Sequence, residues 1–234
     1  MNRVDMAEYR AWQEKCSVVF APQFRSSDYD KIETLEEGFT VISTAYEKIV
    51  EVYRVLASEN ELRDSGGQVV YTWRNLNIDG AFCHLFRHEN GCRYLVFRRD
   101  LYGYSVYELE SGREFHYIPS QREIFIWTDA HYDPASGLLA VAGCFWAAPF
   151  SVIVLDFTDP LQKRPEESWL DVHEIVDPEW IIYEDIDYVG WNGDMLELRA
   201  LHGETGKYEN LSLSAQTLRE KVNAMQVSDC KTQG

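Results

Sequence analysis

One kind of turn recurs along this chain, and it constrains the fold more than any other feature. Asn90-Gly91, Ser136-Gly137 and Asn192-Gly193 each precede an apolar, strand-like run: CRYLVF, LLAVAGC and MLELRA. A second such run follows each after a gap: YSVYEL, SVIVLDF and YENLSL. Asn-Gly is a hairpin signal because both residues tolerate positive φ. An Asp opens every copy, at Asp79, Asp129 and Asp187. The turn glycines lie 46 and 56 residues apart, within the range of repeat architectures. Counting back 53 residues from Gly91 reaches Gly38, where Glu37-Gly38 precedes FTVIST and then IVEVYRV, so a degenerate fourth copy fits there. Residues 44–60 also allow a helix. Thr44-Ala-Tyr-Glu47 has the form of a capping box, and Tyr46, Ile49, Val50, Tyr53, Leu56 and Ala57 fall at helical spacing. Against it, Val50, Val52, Tyr53 and Val55 are strand-favouring types.

These patterns predict an all-β, mainly antiparallel fold: a propeller-like repeat of three to four strand units with short peripheral helices. Residues 1–37 read as an N-terminal extension, helical over 4–15. Residues 38–218 form the β-repeat domain. Residues 219–234 form a C-terminal tail; a short closing helix is expected over 217–226, with the last eight residues frayed.

Asp129-Ala-His131, then SGLLAVAG, then SVIVLDF place an Asp before a turn, a strand after Gly, and a second strand that ends in an acidic turn. In this order residues 65–218 resemble the blades of WD-type β-propellers. No Trp-Asp pair closes a unit; Leu155-Asp156 and Glu108-Leu109 stand there instead. The segments YLVFRRDLYGYSVYEL and DAHYDPASGLLAVAGCFWA also resemble a family of uncharacterised bacterial proteins, a likeness that implies no activity.

With 45% hydrophobic and 14% aromatic residues the chain has ample material for a core. The formal net charge is −17, which repels nucleic-acid phosphates and anionic lipid heads. The longest apolar stretch, Leu138 to Phe157, is interrupted by Gly143, Pro149 and Asp156, so it is no membrane span. The N-terminus lacks the apolar run of a signal peptide, and the expectation is a soluble cytoplasmic protein. The five cysteines match no zinc or redox spacing and are expected to be reduced and mostly buried. Cys83 and Cys92 would lie close only if paired strands brought them together.

Catalytic motifs are sparse. There is no Gly-x-Ser-x-Gly, and Gly66-Gly67 lacks the lysine of a phosphate loop. His84 and His88 would stand about 13 Å apart on a strand, too far to share a metal. Cys144 sits inside an apolar run and is expected to be buried. Asp129, His131 and Asp133 share one face of an ideal strand and form the best candidate for acid–base chemistry. Asp133-Pro134 also has turn chemistry, and the recurrence of the Asp favours a structural role. No cofactor or metal is implied.

Two features point to binding. Gly143-Cys-Phe-Trp-Ala-Ala-Pro149 breaks strand alternation and offers Trp146 on a loop. From Pro165 to Leu198 there are eleven carboxylates and no Lys or Arg, interleaved with Trp169, Trp180, Tyr183, Tyr188 and Trp191. Glu166, Glu167, Trp169, Trp180, Glu184 and Trp146 are therefore the candidate partner-binding residues, with the carboxylates steering and the aromatics anchoring. The expected function is a non-catalytic protein-interaction domain that takes a basic partner. The alternatives are an immunity-type inhibitor of a toxin enzyme and a hydrolase using the Asp129/His131 region.

Overall fold

The computed structural model describes residues 2–76, 82–119, 124–146 and 149–232, except the side chains of Tyr29 and of 226–232. Asp79 lies outside the described residues. The fold is all-β with a few short helices. Among the described residues the strands form four successive antiparallel sheets, each an up-and-down meander with its strands in chain order.

The chain divides into two compact units, and each is described by itself. The first, Met1–Arg87 with Cys92–Ser120, holds helix α1 (Ala7–Cys16) and two sheets. One sheet runs β1 (Lys31–Thr34), β2 (Thr40–Val50), β3 (Tyr53–Arg63) and β4 (Val69–Leu76). The other runs β5 (Cys83–Arg87), β6 (Arg93–Phe97), β7 (Tyr104–Glu108) and β8 (Glu114–Tyr117). Residues 44–60 are strands. Tyr46 faces Ala57 across the β2–β3 ladder, and the turn at Glu51-Val52 places Glu51 at φ 58°. β-branched and aromatic side chains outweighed the helical spacing because both faces of this hairpin are occupied. Val41 and Leu62 pack with Leu85 and Leu95 on one side, while Tyr46, Val55 and Ala57 pack with Cys16 and Val19 on the other.

The second unit, His88–Gly91 with Gln121–Gly234, begins its strands with β9 (Phe125–Asp133), β10 (Leu138–Phe145), β11 (Phe150–Asp156) and the two-residue β12 (Leu170–Asp171). The short helix α2 (His173–Val176) follows. A three-stranded sheet then runs β13 (Tyr183–Asn192), β14 (Met195–His202) and β15 (Tyr208–Ser214). Helix α3 (Ala215–Thr232) closes the chain. Val152, Val154, Ile186, Leu196 and Leu198 form the core of this unit, and Leu218 and Val222 of α3 seal it. The helix begins near the expected place but continues through the segment expected to fray. Among the described residues no helix is long and apolar enough to cross a membrane.

The recurring glycines occupy equivalent places. Gly38, Gly91, Gly137 and Gly193 all have positive φ and all lie between the first and second strands of their sheets. A side chain with a Cβ resists that backbone, so glycine marks the repeat. The degenerate fourth copy is thus a sheet of its own. Cys83 pairs in register with Phe97 while Cys92 sits at the other end of β5–β6, so the two thiols are not neighbours, and neither is in a disulfide.

Candidate functional site: a tryptophan rim on the second unit

Two loops of the second unit hold bulky residues in backbone conformations that L-residues avoid. Trp146 has φ 37° and Trp180 has φ 55°. A non-glycine residue there costs roughly 1–3 kcal/mol, and such strain concentrates at functional sites. Both indoles are exposed, at 62% and 42%.

Local chemistry explains each loop. Trp146 ends the β10 side of the β10–β11 connection, where Phe145 N–H donates to the Pro149 carbonyl. Below it the β9–β10 register shifts between Ala142 and Gly143. A Cβ on Gly143 would stand 2.1 Å from the Ile126 carbonyl oxygen, so only glycine fits the bulge. Asp177-Pro-Glu-Trp180 is a proline-led turn closed by Trp180 N–H donating to the Asp177 carbonyl. The buried Asp177 carboxylate then accepts from the amides of Ile181, Ile182 and Tyr183 at 2.8–3.1 Å. Burial alone would raise its pKa, but those three amides outweigh it and hold the carboxyl below the ordinary range.

The two loops meet the same sheet end. Phe145 packs edge-on against Trp180 at 6.3 Å and against Phe125 at 5.0 Å. Phe150, Ile181 and Ile182 are also exposed. Phe150 N–H donates to Asp185 Oδ1 at 2.8 Å, which brings the start of β13, with Glu184, to this end of β11. The result is an exposed aromatic and aliphatic rim beside Glu179, Glu184 and Asp185.

Trp180 rests on a buried base. Its indole stacks on the His173 imidazole, with centroids 4.0 Å apart and 8° between the planes. His173 is fully buried, and its Nδ1 lies 3.0 Å from Ser151 Oγ. Ser151 Oγ donates to Asp171 Oδ1 at 2.6 Å, and the same oxygen accepts from His173 N–H. Serine, histidine and aspartate are the residue types of a hydrolytic triad, but the wiring is different. A triad needs the nucleophile and the orienting carboxylate on opposite ring nitrogens. Here both meet Nδ1, while Nε2 is buried without a hydrogen bond. The cluster positions Trp180.

Several residues expected at a binding face lie elsewhere. Trp169 is buried; it packs against Trp127 and donates from Nε1 to the Arg164 carbonyl, so it belongs to the core. Glu166 and Glu167 occupy the 3-10 turn Glu166–Ser168, beside the Asp156 end of β11, since Arg164 bonds Asp156 and Leu170 pairs with Val154. The six steps from Phe150 to Asp156 span about 20 Å. Glu166 is half-buried, and burial, with help from Glu167, pushes its carboxyl up. Among the aromatics of the acidic stretch, Tyr183 donates to Glu209, Trp191 donates to the His131 carbonyl, and Tyr188 stacks on His131. Trp146, Trp180 and Glu184 are the expected residues that come together. Phe150, Ile181 and Ile182 join them without having been foreseen, because isolated apolar residues in a strand pattern read as core.

Asp129 and His131 also come together. Asp129 Oδ2 lies 3.0 Å from His131 Nε2, and the Tyr188 ring lies parallel to the imidazole at 3.8 Å. They line a cleft of about 290 Å³ with Asp187 and Arg199, themselves paired at 2.9 Å. Asp133 is not part of it: it is buried and accepts from the Ala135 and Ser136 amides of the β9–β10 turn.

No family model matches this chain, and no curated protein does. Two solved structures are similar to it at low scores. One is a crystal structure of HIRA, residues 644–1017, with TM-score 0.35 and 11% identity over 82% of this chain and 58% of that one. The other is TolB from Acinetobacter baumannii, with TM-score 0.32 and 12% identity over 79% of this chain and 43% of that one. The chain therefore spans about half the length of the solved structures it matches.

Proposed function

We propose that this chain is a protein-interaction domain whose contact face is the tryptophan rim, and that its partner is basic. The observation that carries the reading is the pair of exposed tryptophans held at positive φ on adjoining loops. Strain of that kind, spent on an exposed apolar side chain, has no folding return; it pre-organises an anchor. Tryptophan is among the commonest energetic anchors of interfaces. Glu179, Glu184 and Asp185 beside it, on a chain of net charge −17, select a partner rich in Lys and Arg. An inhibitor that covers the active site of a basic toxin enzyme is the finer form of this reading.

The test uses Trp146→Gly, which keeps the loop geometry and removes both anchor and strain, and Trp180→Ala. Proteins captured from a lysate of the source organism by wild type and by each variant are compared at low and moderate salt. Trp146→Gly is expected to raise the melting temperature by a few degrees and to lose a basic partner that wild type recovers. Equal recovery by all three proteins would sink the reading. A second reading, acid–base chemistry at the Asp129–His131 pair, rests on their 3.0 Å approach in a cleft. It would gain from hydrolytic turnover that is lost in Asp129→Asn.

A further inference from the structure

The four sheets are not equal. Among the described residues three have four strands, and the β13–β15 sheet has three. Where each sister sheet places its fourth strand, the chain turns instead into α3, which packs back against β11 and β12 and touches β15 without pairing with it as a strand. β15 pairs with β14 from Tyr208 to Ser214. Among the described residues nothing pairs with its other side. A row of backbone N–H and C=O groups seven residues long is thus open to another strand.

The side chains along β15 define what fits. On the core side, Leu211 and Leu213 are only half-buried against the core, whereas their neighbours Leu198 and Leu196 on β14 are fully buried. Glu209 stands at the start of the same face and is exposed, accepting a bond from Tyr183. On the opposite face Glu197 accepts from Ser212. Of the two cations nearby, Arg199 is committed to Asp187, with its guanidinium over the Tyr208 ring, and the exposed Lys207 lies just before the strand, beyond the Leu211 and Leu213 stretch. A second copy of a chain with net charge −17 is a poor candidate to lie on this edge.

We propose that the outer edge of β15 accepts an extended, basic segment of another protein as an antiparallel fourth strand. Alternate residues of that segment would be apolar and extend the core over Leu211 and Leu213, and a Lys or Arg would meet Glu209. Main-chain bonds give such docking its affinity, and the alternating side chains give it specificity. The Glu209 end of this edge adjoins the rim through Tyr183, and the Trp146→Gly variant separates the two surfaces.

The test uses a synthetic probe of alternating lysine and valine, seven residues long, and the same peptide N-methylated at every second amide, prepared in both phases. The full-length chain is followed by amide hydrogen exchange and by titration. The unmodified peptide is expected to slow exchange in residues 208–214, and the methylation phase that blocks pairing is expected to weaken binding roughly tenfold. Glu209→Lys should weaken it severalfold, while Trp146→Gly should leave it unchanged. Equal binding of all three peptides would mean charge attraction without strand addition and would overturn the proposal. Protection elsewhere, or no protection at all, would do the same. Protection of 208–214 that appears without peptide and grows with protein concentration would assign the edge to a second copy.

Discussion

Burial moves one histidine far from its ordinary behaviour. His116 on β8 meets Ser105 Oγ at 2.9 Å through Nδ1, and its Nε2 lies 3.4 Å from Glu114. Burial, reinforced by the Arg99 charge and opposed by Glu114, lowers its pKa to about 4. An unfolded histidine titrates near about 6.5. As pH falls from 6.5 towards 4, the unfolded chain binds a proton that the folded chain refuses, so stability drops across that window and is unaffected above it. The expected loss at this site is about 2 kcal/mol between pH 7 and pH 5. Urea unfolding at both pH values measures it: His116→Asn should show a shallower decline than wild type, and an identical decline would show that the group is not shifted. The same balance of burial against bonding acts at the rim, where Asp177 remains ionised because three amides point at it.

Among the elements, helix α3 depends on one carboxylate. Arg219 reaches back from the helix to Asp156 at the end of β11, with Nη1 2.6 Å from Oδ1, and to the Ser136 carbonyl of the β9–β10 turn. Arg164 takes the other oxygen of Asp156 at 2.9 Å. Burial would raise the Asp156 pKa, but bonds from Arg219 and Thr158 and the Arg164 charge bring it down to about 2. Its contribution is therefore fully present above the unfolded value of about 3.8 and is lost as pH falls through 2. Arg219→Met leaves Asp156 with a single cation and unties α3 from the turn. We expect a loss of about 2 kcal/mol at pH 7, with the gap to wild type closing between pH 4 and pH 2. Denaturation midpoints across that range check it; a gap that stays constant would mean that Arg219 acts through the Ser136 carbonyl and not the Asp156 charge, and no gap at all would mean that the helix is held by Leu218 and Val222 alone.

Over the whole molecule, charge acts through where it is placed. The eleven carboxylates of 165–198 do not form one field. Asp171 and Asp177 are buried in hydrogen bonds, Asp187 pairs with Arg199, and Glu166 and Glu167 sit at the far end of β11 from the rim. A separation of about 20 Å is twice the screening length of about 10 Å at 0.1 M salt. Lysine at 179 and 184 should slow association with a basic partner several-fold, and lysine at 166 and 167 should change it by less than about twofold. Association rates by surface plasmon resonance distinguish these, and equal slowing by both pairs would mean that only net charge matters. The sequence by itself determined the strand repeat, because positive-φ glycines and alternating apolar runs are local demands that Gly38, Gly91, Gly137 and Gly193 must meet wherever they lie. It also made Trp146 visible as a loop residue and Trp180 as a candidate anchor. Tertiary structure alone decided that Trp169 is core while Trp180 is surface, since two tryptophans in similar acidic surroundings differ only in what packs over them. It alone brought Phe150 to Asp185 at the start of β13, and it alone left β15 with β14 as its one strand partner among the described residues. Burial and adjacency are sums over contacts between distant segments, and no local pattern encodes them.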